Sequence, residues 1–227
     1  MDNQYDLDQL RRSKEDLEQL VAQHFKSNNR QTLLPKKLED EFWAFNIDRT
    51  RVNAIQFFGQ GVITYTILVL LILPSNYFVL RESPHFVLDF IYSILSLIVV
   101  GAALFLFWAF SRFRNLRAFF YPAACTIVFF TIVLTSLLMI GVSNVVLQNQ
   151  AMVLVAFLYM LGFILSGIKP LHMLWIGSFA AIVTLFFLYF LNIPYDLLMV
   201  GRTFIGSLLL GFSISVMLNS KEQRIFI

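Results

Sequence analysis

The sequence predicts an all-α, polytopic membrane protein, a six-transmembrane-helix bundle with a cytoplasmic N-terminal helical arm. Three observations carry this. Of 227 residues, 58% are apolar and only 14% are charged, against roughly 45–50% and about 25% in soluble domains. Charge is also unevenly placed: residues 1–53 hold 19 of the 31 charges, and residues 54–218 hold nine. Finally, the second part divides into six apolar runs long enough to cross a bilayer, which takes about 20 helical residues. These values exclude a water-soluble globule. They also exclude disorder, which needs few apolar residues and high charge.

The six runs cover about 54–74, 86–110, 118–141, 150–168, 171–191 and 197–218. Expected breakers separate them: Pro74, Pro84, the Arg112/Arg114/Arg117 cluster, the Ser143–Gln150 polar stretch, Lys169 with Pro170, and Asn192 with Pro194. The runs are apolar on every face. Membrane strands alternate over about 10 residues instead, and a helix satisfies its own backbone within hydrocarbon.

Lys and Arg orient the spans. The arm, the second and fourth connections and the tail hold 15 of them, whereas Arg81 and Arg202 are the two on the other side. Both termini are therefore expected to be cytoplasmic, with short loops outside. The opening MDNQYDLDQL is acidic and polar, unlike a signal peptide. The first span is thus expected to be an uncleaved anchor.

Within the arm, a helix over about 6–26 spaces Leu10, Leu17, Leu20 and His24 at a rough 3–4 rhythm. Under three heptads is a weak coiled-coil pattern. After the polar linker SNNRQT, a second helix over about 35–53 is expected to lie along the inner membrane surface. Pro35 suits its first turn, and Glu39, Asp40 and Glu41 complement the N-terminal dipole. Leu34, Leu38, Phe42 and Phe45 form its apolar stripe, and Trp43 adds an interfacial aromatic. This helix serves as an anchor or as a lever coupling the bundle to a cytoplasmic neighbour.

Charge within a span is costly and marks a candidate site. His85, Asp89, Tyr92, Asn149, Asp196 and Arg202 gather at the outer level, with Arg81, Glu82, Asn144, Gln148, Gln150 and Asn192 nearby. One reading is an Asp89–Arg202 or Asp196–Arg202 pair that pins helices, with snorkelling of Arg202 also open. The other is an outward polar pocket, in which an Arg would suit a carboxylate or phosphate and His85 would add pH response. Gln56, Gln60 and Thr64 share a face of the first span, where interhelical hydrogen bonding is expected. Ser207, Gly211 and Ser215 make a small-residue face on the sixth span for intrachain packing or dimerisation, widened by Gly201 and Gly206.

No nucleophile–base–acid set, metal cluster or nucleotide fingerprint occurs in the sequence, so neither a catalytic residue nor a cofactor is expected. His24, His85 and His172 fall in three compartments. The lone Cys125 excludes an intrachain disulfide and reads as a small buried hydrophobe. Charge without a basic stripe argues against nucleic acid. The absence of ionisable groups at the midplane and of paired broken helices argues against a pump or coupled transporter.

The order of LPKKLEDEFWAFNIDRTR, an aromatic-Gly first span QFFGQGVITYTILVLL, tiny outer loops, and a last span RTFIGSLLLGFSISVMLNSKEQR leading into a charged helix resembles an N-terminal membrane domain. It is similar to the six-helix sensor domains of bacterial diguanylate cyclases of the GGDEF class, and of some class III nucleotide cyclases. The likeness is architectural and spans about 34–227. It implies a homodimer, membrane lipids as surroundings and an unknown small-molecule or lipid ligand. It also implies that residues 219–227 begin a signalling helix toward a cyclase-type output. The GGDEF and cyclase catalytic residues are absent from this sequence. The alternative is a stand-alone protein that binds or transports a lipid, quinone or small apolar molecule.

Overall fold

The computed structural model describes residues 36–226, and every described element is helical. The expected helix over 6–26 and the linker after it, together with Leu34 and Pro35, lie outside the described residues. The order is α1 (Lys36–Gln56), α2 (Phe58–Leu80), α3 (Phe86–Arg112), a 3-10 turn (Arg114–Phe119), α4 (Phe120–Ile140), α5 (Val145–Leu165), α6 (Pro170–Phe190) and α7 (Leu197–Phe226). Six helices are long and apolar enough to cross a membrane. The chain is therefore a multi-pass membrane protein of the predicted class. It divides into two compact units, residues 46–216 and the flanking segments that include 36–45 and 217–226.

Most breakers act where expected, each for an identifiable reason. Pro170 opens α6 at the position where its missing N–H costs nothing. Asn192 takes φ 51° after α6, a backbone state that Asn tolerates. Gly167, at φ +66°, ends α5, and a Cβ there would lie 2.5 Å from the Thr50 hydroxyl oxygen. Two expectations are corrected. Pro74 does not end the first span, since α2 continues to Leu80. In hydrocarbon no water competes for the backbone, so a helix outlasts an internal proline. The fourth span begins at Val145 rather than 150, because the Asn144 side chain caps α5 by accepting from the N–H groups of Val146 and Leu147. Gln148, Asn149 and Gln150 are thus helical.

Within residues 46–216, α4 is the hub, packing against α3, α5 and α6. In its span 44% of the most apolar stretch is buried, whereas in α2 the share is 6%. The core joins Ala124, Ile132 and Ile140 of α4 to Val155 and Tyr159 of α5, Met173 and Ala180 of α6, and Val200 and Phe204 of α7. Cys125 is half-buried against this cluster. Ser207, Gly211 and Ser215 resolve as a packing face inside the chain. Ser207 and Ser215 are buried, the Ser215 hydroxyl donates to the Phe163 carbonyl at 3.1 Å, and a Cβ on Gly211 would run into the Phe163 ring.

The end of the bundle where α1 enters, here the proximal end, is held by charge. Asp48 Oδ1 accepts from Arg51 Nε at 3.1 Å and from Arg117 at 2.7 Å. Arg51 also reaches the Ser111 carbonyl at 3.3 Å, where a cation complements the C-terminal end of α3. Slight desolvation raises the Asp48 pKa, but the hydrogen bonds and charges of Arg51 and Arg117 outweigh it and hold the carboxyl below its usual 3.8. In the α1 segment, Phe42 and Trp43 are both buried and meet edge to face at 5.3 Å, whereas Phe45 is half-exposed. Phe42 and Trp43 are thus both covered in this segment, and Phe45 is its exposed ring.

Two outcomes are expected. Gly211→Ala forces Phe163 to move and costs about 1–3 kcal/mol, while Gly206→Ala, which meets open space, is neutral or stabilising; thermal melts in detergent compare them. A carboxyl with a depressed folded pKa contributes stability above its unfolded pKa and loses it as pH falls through the folded value. The melting temperature thus falls as pH drops below about 4, and Asp48→Asn removes that part of the dependence.

Candidate ligand cleft at the distal end

At the opposite, distal end lie the connections Arg81–His85, Gly141–Asn144 and Leu191–Asp196. The structure sorts the six predicted pocket residues into three groups. Asp89 is a clamp. It is 1% exposed, and it accepts from the Ser143 N–H at 2.9 Å, the Ser143 hydroxyl at 2.6 Å and the Ser83 hydroxyl at 3.3 Å. A first-turn residue of α3 thereby fastens the α4–α5 connection and the α2–α3 connection together. Beneath it the Asn76 amide donates to the Ser93 hydroxyl at 2.6 Å, tying α2 to α3. Tyr92 is half-buried against the Leu80–Val142–Leu147 cluster. These groups meet because helices α3 and α4 run antiparallel through a short turn.

The second group is peripheral. His85 is exposed on its loop, and its backbone N–H donates to the Ser83 hydroxyl at 3.4 Å. Arg202 is exposed on the second turn of α7 and pairs with neither Asp89 nor Asp196; among the described residues no ion pair includes it. The Asp89–Arg202 and Asp196–Arg202 pins are therefore corrected. Asp89 meets serine donors instead, and Asp196 is turned to the backbone of its own helix.

The third group, Asn149 and Asp196, lines a real cleft of about 420 Å³ between α5 and the start of α7. Gln148, Tyr195, Met152 and Met199 line it with them, over a floor of Ile140, Val145 and Val200. Asp196 Oδ1 caps α7, accepting from the N–H groups of Leu198 at 2.9 Å and Met199 at 3.3 Å. Its Oδ2 accepts no hydrogen bond among the described residues. The Gln148 amide nitrogen donates to the Ile140 carbonyl at 2.8 Å, leaving its oxygen as an acceptor. Asp196 is the sole charged group of this lining. The chemistry is thus the reverse of an arginine pocket: a carboxylate and amide oxygens above thioether and aliphatic walls suit a cationic or hydrogen-bond-donating head on an apolar body.

Tyr195, Met152 and Met199 were missed in the sequence reading. Met152 and Met199 look like ordinary span residues, and only Tyr195, between Pro194 and Asp196, carried a signal. Among the described residues no group of three or more His, Cys, Asp or Glu could hold a metal ion. No protein-family model, no curated protein and no solved structure matches the chain.

Removing one partner of a buried hydrogen-bonded carboxylate leaves donors unsatisfied, at about 1–3 kcal/mol or more. Asp89→Ala is expected to lower folded yield and melting temperature clearly. Arg202→Ala, exposed and unpaired, leaves both nearly unchanged; fluorescence-detected chromatography of the two variants checks this.

Proposed function

We propose that this chain is a membrane sensor and anchor module that binds a small cationic or hydrogen-bond-donating amphiphile in the distal cleft and relays occupancy along α7. The observation that supports this best is the continuity of α7. Its cap residue Asp196 and its first-turn residues Met199 and Val200 line the cleft, and the same helix runs for 30 residues to Phe226. At 1.5 Å per residue that is about 45 Å, roughly 15 Å more than the hydrocarbon core. A ligand that shifts the capped end of α7 would bias what the same helix carries further along, as coupling between two sites requires.

The charge distribution supports the cleft facing outward and both α1 and the end of α7 facing the cytoplasm of a bacterial inner membrane. A cyclase-type output beyond α7, making cyclic-di-GMP or a cyclic nucleotide, rests on the architectural resemblance alone. The stand-alone reading, a carrier or binder of lipids or quinones, uses the same cleft without the relay.

Asp196→Asn keeps an oxygen for the helix cap but removes the charge, so it separates binding from folding. The chain in nanodiscs is treated with a photoreactive short-chain alkyltrimethylammonium. Labelling is expected on the peptides containing Tyr195 and Met199, reduced at least 5-fold by Asp196→Asn. A spin label at Asn219 changes its spectrum on saturation. Labelling indifferent to Asp196 sinks the binding proposal. Labelling without a change at Asn219 favours the stand-alone reading.

A further inference from the structure

Helix α2 carries a polar stripe that the described residues do not cover. Its packed side is defined by contacts: Phe58 stacks on Trp108 at 4.7 Å, the Tyr65 hydroxyl donates to the Leu97 carbonyl, and Asn76 and Leu80 are buried. At 3.6 residues per turn, the opposite side is Gln60, Ile63, Ile67, Leu70 and Pro74, continued back by Gln56 at the end of α1. All six are exposed. Their spacing of 4, 3, 4, 3 and 4 is that of the seam along which two helices supercoil. Gly59 and Gly61 flank it with open space where side chains would stand.

The apolar members of this seam suit lipid; Gln60 and its neighbour Thr64 do not. Counted along α1 and α2, whose junction at Phe57 keeps helical backbone hydrogen bonds, Arg51 and Arg81 are about 45 Å apart along the chain. A hydrocarbon core of about 30 Å centred between them puts Gln60 about 6 Å and Thr64 about 12 Å inside. Thr66 closes its hydroxyl onto the Val62 carbonyl at 2.8 Å. Gln60 and Thr64 make no hydrogen bond among the described residues, so the interhelical bonds expected for this stripe are not made there. An unpaired amide in hydrocarbon costs several kcal/mol.

We infer that the Gln60 face of α2 is the contact between two copies of this chain, arranged side by side about a two-fold axis along the membrane normal. A second copy fits for two physical reasons. The charge bias that inserts one copy inserts every copy in the same direction, so each Gln60 stands at the same depth as its counterpart. A carboxamide carries both donor and acceptor, so two facing Gln60 side chains satisfy each other, as an isologous interface requires. The seam above them supplies Ile63, Ile67 and Leu70 as packing, and a single polar layer fixes the register. This goes beyond the sensor reading and stands apart from it, since the cleft is lined by α4, α5 and α7.

The test uses the whole chain in native membranes with Cys125→Ser as background. Single cysteines replace Ile63, Ile67 and Leu70 on the seam, and Phe58, Tyr65 and Ile72 on the packed side. Oxidation is expected to give a species of twice the chain mass at the seam positions, at least 5-fold more than at the packed ones. In liposomes, energy transfer between labelled copies is expected to persist in Gln60→Asn. In Gln60→Leu it falls at least 5-fold at equal dilution, while the melting temperature of the dispersed chain holds. Equal crosslinking on both sides, crosslinking to a species of another mass, or undiminished transfer in Gln60→Leu overturns the inference.

Discussion

Satisfaction of polar groups away from water is the constraint on which the rest of this structure depends. Hydrocarbon offers a side chain neither donor nor acceptor, so each buried polar group must find a partner inside the chain. The Ser96, Ser111, Thr184 and Ser207 hydroxyls turn back on carbonyls one turn earlier in their own helices. Asn76, Asp89 and Ser215 instead reach other elements, and these three bonds fasten α2 to α3, α3 to the α4–α5 connection, and α7 to α5. Among the described residues the Thr135 and Ser136 hydroxyls on α4 are the exceptions, buried without a partner. Polar residues here thus act as fasteners between helices whose apolar surfaces alone would slide.

The fold was legible because length and hydropathy are sufficient to define a membrane span, and because inter-helix loops concentrate the residues that end helices. What failed was local. The sequence reads Pro74 by the rules of water, in which a freed carbonyl favours a bend into solvent; inside a span no water competes for it. The start of α5 was placed five residues late because Gln148, Asn149 and Gln150 look like loop, although Asn144 ahead of them is a strong cap. Such errors come from reading polarity as an alternative to helix, when at a membrane end it is compatible with helix.

The candidate site was less legible, for a different reason. Position along a span can be read from sequence, which is why Asp89, Asn149, Asp196 and Arg202 are grouped at one level there. Azimuth cannot. Asp89 and Asp196 lie at similar depth yet serve different ends, one closed among serines and the other capping α7 at the rim of a cleft. Arg202, six residues beyond Asp196, pairs with neither partner offered to it among the described residues. Pairing charges by depth alone overlooked that a serine hydroxyl or a helix N-terminus answers a carboxylate as well as a guanidinium does.

The loose seating of α2 has a consequence for how the protein is made. Among the six spans it comes earliest in the sequence, and among the described residues it packs chiefly against α3, the next one. The two can close as a hairpin, through Asn76–Ser93 and Phe58–Trp108, while α4 to α7 are still being synthesised. The hub α4 then docks on a finished surface, and each later helix adds to helices already in place. Biogenesis can therefore proceed in order of synthesis, with no early span held open for a late one, leaving the outer flank of α2 available from the first moment to a neighbour in the same bilayer.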